Sequence, residues 1–346
     1  MRIAITRPEG LVGRHLAARA VAEGHEVVAL LGARSEPWAR RELAALGPAL
    51  TAVAGGAEPA AGVDSDRELS LRTTLAGCEV LIDARSRAPD LGPNAAFARA
   101  DAEASARQLR AAEAAGVRRI VLVSSLAVHR FDGRADVDVR RLPRDRRELP
   151  YAQALCRIED LVLSGGRVEG VVVRPGLWPV GGGDPVLRRL ARALRGGRLP
   201  LVGGGAGVLN LVDADDLAGG ILAASTSAAA AGRVYAIADP TRLTWREALT
   251  TWAALLGGRP PRRLLPTAPV QAVATVLERA YGIARPAAEP GLTRYRTALL
   301  GSGLHVRVDA AIEELGWSPR TAWREALRRV AVDALAYLGA APRGKS

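Results

Sequence analysis

Four histidines, two cysteines and one lysine are the side chains of this sequence with most to offer as bases, nucleophiles or metal ligands. The lysine, Lys345, stands next to the last residue, so a mechanism needing an amine in the folded body is not expected. Cys78 and Cys156, with no secretory signal, point to a reducing cytoplasm and no disulfide framework. The histidines and cysteines lack paired ligand spacing, so no metal is expected. His15 falls in an amphipathic stretch and His25 at a strand start, which suits structural roles. His129 is the candidate base, because an imidazole ordinarily titrates near neutrality; its place at a loop edge also reads as an exposed polar residue. His305 precedes the strand-like run VRV, where it is placed to face a pocket. Asp213, Asp215 and Asp216 form the densest carboxylate cluster, and helix capping accounts for it.

The elements that must position these groups alternate β-branched runs with amphipathic stretches, the pattern of a doubly wound parallel sheet with helices on both faces. Strands are expected over 2–6, 25–31, 50–54, 79–83, 119–124 and 170–174, and helices over 11–22, 94–115 and 151–163. After Arg174 the pattern changes to Gly/Pro-rich turns and helices. The expected division is therefore a core over 1–175 to which 209–240 returns, a smaller, mostly helical substrate lobe over 176–208 and 241–340, and a disordered tail over 341–346. Residues 225–231 read as a small-residue surface loop. Trp178, in the RPGLWPV loop, offers a broad apolar wall to a pocket, while Trp245, Trp252 and Trp317 pack the lobe.

Composition removes several classes of function. With 346 residues, 49% of them apolar and 24% charged, the chain is an ordinary globular protein. No apolar run approaches the roughly 18 residues that span a bilayer. The net charge of +12 invites nucleic acid, but aromatic residues are 4% of the chain and the arginines are spread throughout it. A nucleic-acid face would cluster cations with stacking side chains. The expected partner is instead a small molecule, with neither nucleic acid nor membrane, and a homodimer is possible. The densest basic run, RRLPRDRR at 140–147, reads as a solvated loop.

Six landmarks in order resemble the extended short-chain dehydrogenase/reductase superfamily, nearest its NAD-dependent epimerase/dehydratase and 3β-hydroxysteroid dehydrogenase branch. An opening strand ends in Thr6 and leads to GLVG, Gly10, Leu11, Val12 and Gly13. VLVSSLAV follows at 121–128, a helix opens at Tyr151, RPG stands at Arg174, Pro175 and Gly176, VDADDLA at 212–218, and EELGWSPR at 313–320. The resemblance covers nearly the whole chain and implies a Rossmann-like fold.

It also implies a cofactor site, from which this sequence departs. Where the family has the first glycine of its phosphate-binding turn, this chain has Arg7; Pro8 supplies no N–H, and Glu9 adds an anion beside the expected diphosphate. The residue that selects the adenosine ribose is replaced by Gly32 and Ala33, with Arg34 one step beyond. After the fourth strand Arg85 stands where a small residue leaves room for the cofactor. Two readings stand: Arg7, Glu9, Asp83 and Arg85 form a salt-bridged plug in the cleft, or Arg7 and Arg85 point to solvent.

In the family a Ser or Thr after the fifth strand orients the substrate, a Tyr acts as acid or base, and a Lys four residues later lowers the Tyr pKa and holds the nicotinamide ribose. Ser125 and Tyr151 match the first two, with Ser124, Pro175 and Gly176 expected beside them in the substrate pocket. The third position is Leu155. A phenol without a neighbouring cation keeps a pKa of roughly 10 and donates a proton but is a poor base. The expected function is therefore a non-redox cyclisation, dehydration or isomerisation of an apolar carbonyl compound, with Tyr151 and Ser125 as donors and no cofactor. The alternatives are an NAD(P)-dependent oxidoreductase or epimerase, and a catalytically silent binding protein.

Overall fold

The computed structural model describes residues 1–32, 37–54, 64–84, 95–145, 150–197, 199–284 and 292–340. Six strands in the first half are β1 (Arg2–Thr6), β2 (Glu26–Leu31), β3 (Leu50–Ala54), β4 (Val80–Asp83), β5 (Arg119–Val123) and β6 (Glu169–Pro175). With the returning strand Val234–Ile237 they form one parallel sheet in the order Val234–Ile237, β6, β5, β4, β1, β2, β3. The order reverses between β1 and β4, which pair directly, so the cleft expected to hold a ligand opens above the ends of those two strands.

Side-chain alternation along the strands builds a core on each face. Ile3, Ile5, Ile82, Val121, Val123, Val171 and Val173 pack against α1 (Leu11–Ala22) and the helix Ala214–Thr226. Ala4, Leu30, Leu81, Ile120, Leu122 and Val172 face α3 (Asp64–Leu75), α4 (Ala95–Ala115) and α5 (Pro150–Leu163). Both faces are covered, which is why these strands read as continuous apolar runs. The sequence pattern does not foreshadow α3 or α2 (Pro37–Ala44), whose compositions are strongly polar.

A third apolar cluster joins β7 (Trp178–Val180), α6 (Pro185–Arg195) and the helices Trp245–Leu255 and Trp323–Ala340. Trp178 belongs to this cluster and not to a pocket wall. It is 8% exposed, stacks on Trp245 at 5.3 Å between centroids and meets Trp252 edge-on at 5.7 Å. Trp317, expected in the lobe, packs in the sheet core and donates from Nε1 to Asp216 O at 2.9 Å. No helix among the described residues is long and apolar enough to cross a membrane.

The acidic cluster is structural throughout. Asp213 caps the helix Ala214–Thr226 by accepting from the Asp215 and Asp216 amides, Asp215 pairs with His15 at 2.6 Å, and the Asp216 carboxylate accepts from the Thr321 amide. The expected surface loop that follows is held inside at two points, Ser225 and Ala230, both fully buried. The cause is Arg119, whose buried guanidinium donates to Glu169 and to the carbonyls of Ala224, Ser225 and Ser227 at the helix C-terminus. A cation suits that end of the helix, and the planar fork reaches several acceptors at once. Arg119→Lys is expected to cost about 2–3 kcal/mol, seen as a lower urea midpoint at unchanged m-value.

Candidate active site

The turn from β1 into α1 sits at the switch point. Arg7 adopts φ +50°, a left-handed conformation that glycine takes freely and other residues take at a cost of about 1–2 kcal/mol. Its amide donates to Leu30 O at 3.0 Å and its carbonyl accepts from Gly10 N at 3.1 Å, so Arg7 holds the glycine geometry without being glycine. A Cβ on Gly13 would lie 2.3 Å from Arg7 O and 2.7 Å from Pro8 Cα, so this position must be glycine for α1 to start so close to the turn. Gly10 caps α1, whose first turn contains no acidic residue. Leu11 and Val12, half-buried in that first turn, bring amides that an α-helix leaves without internal partners.

Glu9 is placed otherwise than like-charge repulsion from a diphosphate would require. Its Oε1 accepts from Gly32 N at 3.0 Å, just past the end of β2, and lies 3.4 Å from Arg7 Nε. The Arg7–Glu9 pair of the expected plug is thus formed. Asp83, its third member, accepts from the hydroxyls of Thr6 (3.1 Å) and Ser105 (3.1 Å), and Thr6 Oγ1 in turn accepts from Ala84 N. These bonds stitch β1 to β4 where the cleft opens. Arg34 and Arg85 lie outside the described residues.

At the end of β5 the two serines part. Ser124 is buried and donates to Glu159 Oε1 at 2.6 Å, which makes it a structural residue and not a substrate contact. Ser125 is half-buried and caps a short 3₁₀ turn by accepting from Ala127 N at 3.1 Å, which leaves its hydroxyl proton to be donated. Tyr151 lies in the first turn of α5, with its side chain outside the described residues. Leu155 is buried against Val128 and Cys156, beside the turn that carries Ser125, so an apolar contact fills the position of the family's lysine.

His129 is neither exposed nor a base. It is 2% exposed, with Nδ1 3.0 Å from Pro143 O and Nε2 2.9 Å from Arg174 Nη1. A carbonyl only accepts and a guanidinium only donates, so the ring is neutral with its proton on Nδ1 and both nitrogens engaged. Burial and the Arg174 cation push its pKa down to about 4. His305 is likewise buried, with Nδ1 2.8 Å from Asp136 Oδ1.

Arg174 and Glu159 are the groups that sequence reasoning missed. Glu159, with no exposed surface, accepts from Ser124, from Arg174 Nε (2.9 Å) and Nη2 (2.7 Å), and from Arg144 Nη1 (3.2 Å). Arg174 also donates to Val139 O at 2.9 Å. The basic run is therefore not simply solvated, since Arg144 reaches inward from it. One signal was available: Glu159 is flanked by apolar residues on a helix face that must meet the sheet. Pro175 and Gly176 close the same strand. Gly176 donates to Ile237 O at 2.8 Å, and a Cβ there would lie 2.7 Å from Asn210 O, so this pair fixes the chain path and lines the core.

A parallel sheet with a glycine-built turn at its switch point and a hydroxyl at the end of β5 defines a dinucleotide-binding fold of the dehydrogenase type. Residues 9–176 match a family model described as NAD(P)H-binding. The chain is 31% identical over 99% of its length, and 98% of the relative's, to a 4-hydroxy-2-methyl-3-oxo-4-farnesyl-3,4-dihydroquinoline-1-oxide ketoreductase from Stigmatella aurantiaca. It is 25% identical to a 2-alkyl-3-oxoalkanoate reductase from Stenotrophomonas maltophilia, over 95% of this chain and 98% of that one. A UDP-glucose-4-epimerase from Stenotrophomonas maltophila, solved with bound NAD, superposes with a TM-score of 0.74 at 17% identity, covering 99% and 100% of the two chains. The chain belongs to the extended short-chain dehydrogenase/reductase superfamily, and it shares its fold with the solved epimerase.

The turn fits a dinucleotide. The close approach at Gly13 and the uncapped amides of α1 form a cradle for a diphosphate, and Glu9 is drawn aside to β2.

Proposed function

We propose that the chain is an NAD(P)H-dependent ketoreductase of an apolar, carbonyl-bearing small molecule. What carries this reading is the end-to-end match to a ketoreductase and a second reductase, which favours the redox alternative over the cofactor-free cyclisation or isomerisation suggested by Arg7 and Leu155. Gly13 and the start of α1 would hold the diphosphate, and the cofactor would supply a hydride to the carbonyl carbon. The chain's own contribution is at the oxygen. As that atom gains negative charge it needs a hydrogen-bond donor and then a proton. Ser125 supplies the first, and the Tyr151 phenol supplies the second.

Leu155 makes sense in this direction of reaction. Reduction needs an acid, and a phenol with a pKa of roughly 10 is a competent acid toward an alkoxide. Oxidation of the alcohol needs the phenolate, which the family's lysine would stabilise and leucine does not. The loss of lysine therefore removes the phenolate's counter-charge while leaving an acid for the ketone oxygen.

Two measurements test the reading. Fluorescence titration is expected to give micromolar binding of a reduced nicotinamide dinucleotide; no binding of either NADH or NADPH returns the cleft to non-redox chemistry. The kcat for ketone reduction is expected to be flat from about pH 6 to about pH 9, because no group near neutrality donates the proton. A controlling pKa near 7 would remove Tyr151 from the role.

A further inference from the structure

One carboxylate at the glycine-rich turn has no part in the proton chemistry. In folds of this type the acid that hydrogen-bonds the adenosine ribose 2′-hydroxyl stands at the end of the second strand. Here β2 ends at Leu31 and runs into Gly32, so the strand brings no carboxylate to that place. Glu9 brings one from the neighbouring turn. Its Oε1 accepts from the Gly32 amide at 3.0 Å and lies 3.4 Å from Arg7 Nε, which fixes the carboxylate at the end of β2. Its Oε2 is buried, and no donor faces it among the described residues. A buried carboxylate oxygen lacking a donor is a costly feature that a ligand hydroxyl would relieve.

We infer that Glu9 is the residue that selects the cofactor: its Oε2 accepts the 2′-hydroxyl of the adenosine ribose and its charge excludes a 2′-phosphate, so the chain takes NADH in preference to NADPH. The inference rests on the reductase reading and adds to it the identity of the electron donor. The turn residue has taken over a task that this fold ordinarily gives to the second strand. A ribose hydroxyl gains a charged acceptor there, whereas a phosphate would meet a fixed anion at hydrogen-bond distance.

The test uses the intact protein and needs no turnover. ADP-ribose and 2′-phospho-ADP-ribose differ only at the group in question, and calorimetry gives the affinity of each. ADP-ribose is expected to bind at least about tenfold more tightly, and Glu9→Gln, which keeps the shape but removes the charge, is expected to shrink that ratio by about tenfold, mainly by improving the phosphorylated ligand. Equal affinities in the unmodified chain, or a preference for the 2′-phosphate, would overturn the inference even if Glu9→Gln failed to fold. An unchanged ratio in a folded Glu9→Gln would overturn it as well. If neither probe nor either intact dinucleotide binds, the cofactor reading itself fails and this inference with it.

Discussion

Tyr151→Phe is expected to lower kcat for ketone reduction by about 10²–10⁴-fold while leaving the affinity for the reduced dinucleotide within a few-fold, since the change removes one proton donor. Ser125→Ala should cost about 10²-fold through loss of a donor to the same oxygen. The double variant is expected to fall little further than Tyr151→Phe alone, because two groups that act on one atom do not contribute independently. Stopped-flow single-turnover measurements following the loss of nicotinamide absorbance separate the chemical step from release. A Tyr151→Phe enzyme that keeps its rate would place the proton donor elsewhere, and Ser125, which uses only its oxygen toward Ala127 N, is then the first candidate.

Arg174→Ala is expected to destabilise the fold by about 3–5 kcal/mol and to lower Tm by roughly 4–7 °C, because it leaves the fully buried Glu159 with part of its donor set and deprives His129 Nε2 of its partner. The same network makes stability depend on pH. His129 is neutral in the fold, its pKa pushed down to about 4 by burial first and by Arg174 second, against an ordinary value of roughly 6.5 in the unfolded chain. The unfolded state therefore binds the proton first as pH falls. Stability is complete above about pH 6.5 and is lost toward pH 4, by up to roughly 3 kcal/mol. Urea unfolding at pH 7.5 and pH 4.5 measures that loss, and His129→Gln should abolish most of it.

The legible part of this fold was the part governed by local pattern. The runs RIAIT, EVVALL and RIVLV are continuous because both faces of a parallel sheet are covered, and α1 and α5 are apolar on average. The polar helices α2 and α3 lack that signal. In the site, Gly13, Ser125, Tyr151 and Leu155 stood at readable spacings, whereas Trp178, Ser124 and His129 were misplaced. Each of those three is buried by partners distant in sequence: the stacked indoles 245 and 252, the carboxylate at 159, and the guanidinium at 174.

Glu9 shows the same division at a single residue. Its position in the turn suggested repulsion of a diphosphate, since charge and order along the chain were all that could be weighed. Where a carboxylate of that length ends is set by what can bond it, and the Gly32 amide, 23 residues away in sequence, draws it to β2. Sequence by itself determined the sheet, the glycine at 13, the serine at 125 and the absence of any lysine before residue 345, because these depend on residue type and local periodicity. Only the tertiary structure decided that His129 is neutral, that Glu159 and Arg174 brace the end of β5, and that Glu9 faces the second strand. Hydrogen bonding and burial across distant segments set those outcomes, and no local pattern encodes them.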